Sequence, residues 1–314
     1  MMGQSQKISS NIVVAVQGGG SHGAFAWGVL DRFFENGLEF DAVCGVSAGA
    51  TLGAMAVQGF VRGGARGARA DMARLWDRVS ASHVFAPIQN ALERWMWGWD
   101  IGREVGNTLA MHSLNAALQF FTPAQLNPLG QNPLRPMLSD LLDIEAIRSP
   151  GAPRLFVSAT DVETGSARIF TNHEITVDVL LASSCMPTLF PTVMIDGRAY
   201  WDGGFTGNPP LAPLLSMNPK RLMLIRAQSR TRAGVPGHTN DILNRLQEIA
   251  FQAVVEAELS RLPAHIDFTE IHADLALSDL SASSRANTDR EFLDGLFRAG
   301  RHAGADAGMT AGAV

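Results

Sequence analysis

The chain has 314 residues, with 25 basic and 30 acidic side chains for a net charge of −5, and it is 46% hydrophobic and 18% charged. This suits a globular chain of one large domain or two, and the acidic balance argues against a nucleic-acid partner and gives no global attraction to anionic lipid. Cys44 and Cys185 lie far apart in apolar stretches and read as small core residues, not as a disulfide or metal pair.

Met1–Asn11 is polar and holds only Lys7, so neither a signal peptide nor a membrane-spanning helix is expected, and a cytoplasmic location follows. Asn11–Gln17 reads as an apolar strand leading into Gly18-Gly19-Gly20-Ser21-His22-Gly23. Consecutive glycines let several backbone N–H groups point at one spot, and a following helix places its positive end behind them, which suits a developing oxyanion. Ala24–Asn36 carries Phe25, Val29, Leu30 and Phe33 on one helical stripe and stops at Gly37. Phe40–Cys44 is the next strand, followed by Gly45-Val46-Ser47-Ala48-Gly49, the pattern of a nucleophile elbow. There glycines at both flanks leave room for a sharp strand-to-helix turn that presents a hydroxyl. Gly19–Gly23 fits the same pattern and makes Ser21 a formal rival to Ser47, though its looser glycine loop gives it less need of strain.

Thr51–Phe60 continues the helix behind Ser47, with small residues that allow close packing on a sheet. Arg62–Arg69, basic and glycine-rich, reads as a solvated loop entering a helix over Ala70–Val79. From Val84 to Met137 the chain turns apolar and aromatic, with Trp95, Trp97 and Trp99 in five residues. Tryptophan favours boundaries between apolar and wet phases, so this stretch reads as a helical cap lining an acyl chain or resting on an interface, or as plain core. Leu155–Val162 with Ala167–Thr171, and Val193–Ile195 with Arg198–Trp201, read as hairpins. The second ends at Asp202-Gly203-Gly204, a carboxylate where a strand runs into glycines. Leu222–Ala227 and Ile266–Ala273 are further strands, Thr239 opens a long helix to Leu262, and Thr288 opens a last one to about Arg301. The order predicts an α/β fold with a mainly parallel sheet.

Four motifs occur in order: Gly18–Gly23, Gly45–Gly49, Ala182-Ser183-Ser184-Cys185-Met186-Pro187 and Asp202-Gly203-Gly204. On these the chain resembles the patatin-like phospholipase family from about residue 11 to about residue 227. The resemblance implies a three-layer sandwich with an inserted helical cap, about 84–137, with 228–314 packing on the same domain. It implies a Ser47–Asp202 dyad without histidine, an oxyanion hole at Gly18, Gly19 and Gly20, and hydrolysis of phospholipid or another acyl-ester lipid in the manner of a phospholipase A or lysophospholipase. It also implies no calcium or other cofactor, while the tryptophans at 95, 97 and 99 leave peripheral membrane contact open. The position of His22 is commonly basic in the family, so any anion binding by that side chain would depend on pH.

Taken by themselves, the residues leave other readings open. A Ser-His-Asp triad could draw on His238, His265, His272 or His302, all of which follow Ser47, although none sits in a motif and His272 fits an alternating strand as a structural residue. His83, His112 and His173 show no metal-ligand spacing. An acyl-enzyme on Ser47 could pass its acyl group to a thiol or alcohol, giving a thioesterase or acyltransferase, and a non-catalytic lipid-binding scaffold is the third class.

Overall fold

The computed structural model describes residues 11–82, 132–187, 189–231, 234–237, 239–277, 280 and 282–307. Its framework is one eight-stranded sheet. β1 (Ile12–Val16), β2 (Ala42–Gly45), β3 (Arg154–Asp161), β7 (Arg221–Arg226) and β8 (Asp267–His272) run parallel in the order β3-β2-β1-β7-β8. β4 (Ala167–Thr171), β5 (Val193–Ile195) and β6 (Arg198–Asp202) are antiparallel additions around β3.

The described helices are α1 (Gly23–Glu35), α2 (Ala48–Ser82), α3 (Leu134–Leu141), α4 (Ile144–Arg148), α5 (Val177–Ser183), α6 (Ala212–Leu215), α7 (Thr239–Leu259), α8 (Asp274–Leu277) and α9 (Arg290–Asp306). They cover both faces of the sheet, which is why its central strands are apolar throughout. Alternate residues of one strand serve two cores. Val14 and Val16 of β1 pack with side chains of α1, α2, α5 and α9, while Val13 and Ala15 pack with Leu214 of α6 and Val255 of α7. The result is three layers: helices, sheet, helices.

One strand exchange positions the site. Phe156–Thr160 of β3 pair with β4 along one edge, so β2 and β6 share the other edge. β2 takes Arg154–Val157 and β6 takes Ala159–Asp161, the first parallel and the second antiparallel. The C-terminal ends of β2 and β6 therefore converge, Gly45 opposite Val157 and Asp202 opposite Ala159. Two residues along a strand span only about 7 Å.

The stretch Arg62–Arg69, expected as a solvated loop, is instead helical except at Gly63–Gly64, where Gly64 has φ 59° and α2 folds back on itself. Glycine decides this outcome. A Cβ on Gly67 would lie 2.1 Å from the Gly59 carbonyl oxygen, so the two halves approach at a distance only glycine allows. Two of its three arginines form ion pairs: Arg69 with Asp31 at 2.7 Å, and Arg62 with Asp71 and Asp143. The last helix also differs in its cap. Asp289, not Thr288, accepts from the N–H groups of Glu291 and Phe292. Trp95, Trp97, Trp99 and most of the expected cap lie outside the described residues.

Candidate active site

The elbow is sterically forced. β2 ends at Gly45, α2 begins at Ala48, and Ser47 between them holds φ 55°, a left-handed conformation that non-glycine residues rarely adopt. A Cβ on Gly45 would stand 2.5 Å from the Gly49 carbonyl oxygen, and one on Gly49 would stand 2.4 Å from that of Val16. Both flanking glycines are thus required by backbone contact. The Ser47 N–H donates to Ser183 Oγ at 2.9 Å, which ties the strained turn to the buried end of α5. The start of α2 lies directly behind the serine and contributes a partial positive charge.

The carboxylate arrives on β6. Asp202 is 4% exposed; its N–H donates to the Cys185 carbonyl at 2.8 Å, and its own carbonyl accepts from Thr160 Oγ1 at 2.8 Å. Its Oδ1 accepts the Gly204 N–H at 2.8 Å, and the Ser47 side chain lies near enough to the carboxylate to act on its protonation. Burial pushes the Asp202 carboxyl up to about 7, against the downward pull of the Gly204 N–H and the Ser47 hydroxyl. Ser47 and Asp202, 155 positions apart in number, are brought together by the exchange of β2 for β6 on β3.

The glycine loop abuts Ser47: a Cβ on Gly18 would meet Ser47 Cβ at 2.9 Å and the Val46 carbonyl oxygen at 2.8 Å. Here one expectation is corrected. Gly18 donates its N–H to Asn208 Oδ1 at 2.7 Å, so this group is already engaged inside the protein and is not a free oxyanion donor. Its carbonyl accepts from Asn208 Nδ2 and from Gln228 Nε2, and Gln228 N–H in turn donates to Gln17 Oε1 at 2.9 Å. Gly18 is therefore the anchor of the loop. Gly19 and Gly20 follow it, Gly20 at φ 59° with its α-carbon side pressed against the Arg285 carbonyl oxygen.

The rival serine is elsewhere. Ser21 lies in a short 3-10 turn and is 2% exposed, with its hydroxyl buried. His22 packs beside it, its Nε2 2.7 Å from Ser284 Oγ. The triad histidines are likewise engaged away from the dyad. His265 meets Asn218, His272 faces Asp274, and His302 faces Asp306. β8, which carries His272, is three strands from β2, about 14 Å. His238, His83 and His112 lie outside the described residues. Cys44 and Cys185 are buried, and burial raises both thiols, that of Cys185 to about 12. Among the described residues no group of three or more His, Cys, Asp or Glu side chains is arranged to hold a metal ion, and no helix is long and apolar enough to cross a membrane.

Three residues around the dyad were not singled out by sequence reasoning. Ser183 sits inside a motif that was noticed only as a string. Asn208 follows the Asp202 turn in Gly207-Asn208-Pro209-Pro210, a polar residue within a proline-rich turn, and that is a weak signal. Gln228 has no local signal at all, since its role is defined only by the carbonyl of Gly18.

Comparison with known proteins follows this geometry. A patatin-like phospholipase family model matches residues 14–215, well over half of the chain, and includes both glycine turns, Ser183, Asp202 and Asn208. No curated protein matches the sequence. Among solved structures the chain is similar to VipD from Legionella pneumophila, with 14% identity and a TM-score of 0.43, over 98% of this chain and 71% of that one. With both glycine turns, the elbow and the Asp202 turn inside the matched span, the chain belongs to the patatin-like phospholipase family, a family of lipid acyl hydrolases.

Proposed function

We propose that the protein hydrolyses carboxylic esters of lipids, as a phospholipase A or lysophospholipase, with Ser47 as nucleophile and Asp202 as the general base. The observation that carries this reading is the convergence of Ser47, in its left-handed turn, with a buried carboxylate whose pKa burial has raised to about 7. A carboxylate stripped of water is a stronger base than one in solution, and near neutral pH it can both take and return a proton.

The steps follow from these positions. Ser47 Oγ attacks the acyl carbonyl carbon while its proton passes to Asp202, and the carbonyl oxygen becomes an oxyanion facing the N–H groups of Gly19 and Gly20. Collapse breaks the ester bond, and the departing alcohol takes the proton from Asp202. Water then attacks the acyl-enzyme, giving its proton to Asp202, and on collapse the acyl–Oγ bond breaks, Asp202 returns that proton to Ser47 Oγ and the fatty acid leaves. Asn208 and Gln228 hold Gly18 in place throughout and so fix the loop that bears the donors. The substrate is a phospholipid or a related acyl ester.

Labelling with a fluorophosphonate probe, followed by peptide mass spectrometry, tests the assignment. Modification at Ser47 that disappears in Ser47→Ala, together with fatty acid release from phospholipid or lysophospholipid, is the expected result. Labelling at Ser21, or purified protein that leaves phospholipid, lysophospholipid and short acyl esters all intact, overturns it.

A further inference from the structure

Each glycine of the loop beside Ser47 is backed by a different part of the chain. Gly18 is held by Asn208 and Gln228, and a Cβ on Gly19 would stand 3.0 Å from the Ala227 carbonyl oxygen. Gly20 is backed by a 3-10 turn near the end of the chain, Ala282–Ala286. A Cβ on Gly20 would stand 2.5 Å from the Arg285 carbonyl oxygen, and the same turn brings Ser284 Oγ to 2.7 Å from His22 Nε2. A charge pair ties this turn down. Arg285 donates to Glu248 Oε1 of α7 at 2.7 Å, and Arg245 lies 3.2 Å from Oε2, so each carboxylate oxygen has its own cation. Glu248 is 5% exposed, and at that depth water screens the attraction little.

The face of α7 that carries Glu248 also meets the base. Phe251 lies three residues beyond Glu248 and four beyond Gln247, which places the three side chains together. A Cβ on Gly204 would stand 2.8 Å from the Phe251 ring, and the Gly204 N–H donates to Asp202. Gln247 reaches Met186 Sδ at 3.8 Å, next to Cys185, whose carbonyl accepts the Asp202 N–H. One helix face therefore touches the turn that bears the carboxylate and, through Glu248 and Arg285, the turn that presses on Gly20.

We propose that Glu248 and Arg285 are positioning residues for ester hydrolysis: their ion pair locks the Ala282–Ala286 turn onto Gly20 and so holds the Gly19 and Gly20 N–H groups where the oxyanion forms. The inference rests on the lipid hydrolase reading. Neither side chain touches the ester. The pair acts by keeping the donors aimed before the reaction begins, and donors aimed at an oxyanion act on the transition state, so loosening the pair costs rate and not substrate binding.

The test compares Arg285→Ala and Glu248→Gln, singly and together, with the parent chain. Arg285→Ala keeps the backbone and Cβ that stand against Gly20 and removes the tether, and Arg245 remains to pair with Glu248, so the fold is kept. Arg221→Ala, which breaks an ion pair with Asp267 at the far end of β7, is the control. In Arg285→Ala, kcat for p-nitrophenyl butyrate is expected to fall about tenfold or more with KM within about twofold. Phenylboronic acid, whose tetrahedral adduct on Ser47 puts an oxygen in the oxyanion position, is expected to bind more weakly by about the same factor. Amide hydrogen exchange in the peptide spanning Gly18–Gly23, read by mass spectrometry, is expected to quicken. Glu248→Gln lowers kcat in the same way, and the double variant is within about twofold of the worse single one, since both act through one contact. The proposal is overturned if exchange in that peptide is unchanged in Arg285→Ala, if KM rises while kcat is kept, or if boronate affinity is kept while kcat falls. It is also overturned if the two substitutions multiply in the double variant, or if Arg221→Ala does equal damage, which would mean that any lost ion pair loosens the whole fold. A parent enzyme with neither esterase activity nor boronate binding defeats the hydrolase reading, while hydrogen exchange still judges whether the pair holds the loop.

Discussion

The two glycine turns that share one sequence pattern have opposite outcomes in the fold. Around Ser21 the chain enters a 3-10 turn and the serine is buried, its hydroxyl turned inward. Around Ser47 the chain turns with φ 55°, and its side chain lies beside the Asp202 carboxylate. Both turns follow a parallel strand and precede a helix. They differ in what stands against them. The Ser47 turn leaves β2 where β6 comes in along the same edge of β3, whereas the Ser21 turn leaves β1 between two parallel neighbours, with Arg285 and Ser284 closing over it. A glycine-serine pattern specifies a tight turn, and the neighbouring strands decide whether its serine comes beside a carboxylate or fills the interior.

Substitution of each serine sharpens this contrast most. Ser47→Ala is expected to lower kcat/KM for a lipid or aryl ester by about 10,000-fold or more, measured by fatty acid or chromophore release, because no other described side chain replaces the attacking oxygen. Asp202→Asn keeps the shape but removes the base, and is expected to cost at least about 100-fold in kcat.

The Asp202 carboxyl also sets two pH dependences of opposite sign. If Asp202 acts as the proposed base, activity requires its ionised form, so with a pKa of about 7 kcat/KM is expected to fall about tenfold per pH unit below that value and to level off above it. Stability runs the other way. The folded protein holds a proton that an unfolded aspartate releases near 3.8, so the contribution of this group is greatest below that value and declines as pH rises toward 7. Asp202→Asn is therefore expected to gain thermal stability relative to the parent as pH rises from about 4 to about 7, levelling off above that with a ceiling of about 4 kcal/mol, read as diverging melting temperatures.

Asn208→Ala leaves the buried Gly18 N–H without its acceptor, and is expected to cost about 2 kcal/mol in stability by denaturant titration. It is also expected to cost on the order of tenfold in kcat with KM little changed, because the displaced donors act on the transition state and not on the bound ester. Ser21→Ala marks the small end. It deletes a buried hydroxyl and creates no charge or large cavity, so activity within about twofold of the parent and a stability change under about 1 kcal/mol are expected in the same assays. A large loss of activity in Ser21→Ala would erase the contrast between the turns.

Several elements were legible because their cause is local. The alternation of apolar runs and glycine turns gave β1, β2, β7 and the helices between them, and the elbow glycines were readable because a Cβ at either position meets backbone within the turn itself or the adjacent strand end. The Arg62–Arg69 stretch was misread for an equally physical reason. Glycine and arginine lower intrinsic helix preference or suggest solvation, but here Gly59 and Gly67 permit a helical hairpin too close for any other residue, and Arg62 and Arg69 find carboxylates on α1, α2 and the N-cap of α4. The role of Gly18 was misread because its partner, Asn208, is 190 residues away.

The sequence by itself determined the α/β order, the strained serine turn and the glycine-rich loop beside a strand end, since each follows from steric limits acting over a few residues. Tertiary structure decided that Asp202 comes beside Ser47 and not Ser21, and that Gly18 anchors the loop while Gly19 and Gly20 follow free of that bond. Those outcomes depend on strand exchange at β3 and on burial, and both the dielectric surroundings of a carboxylate and the partner of a backbone N–H are set by residues that only folding brings near.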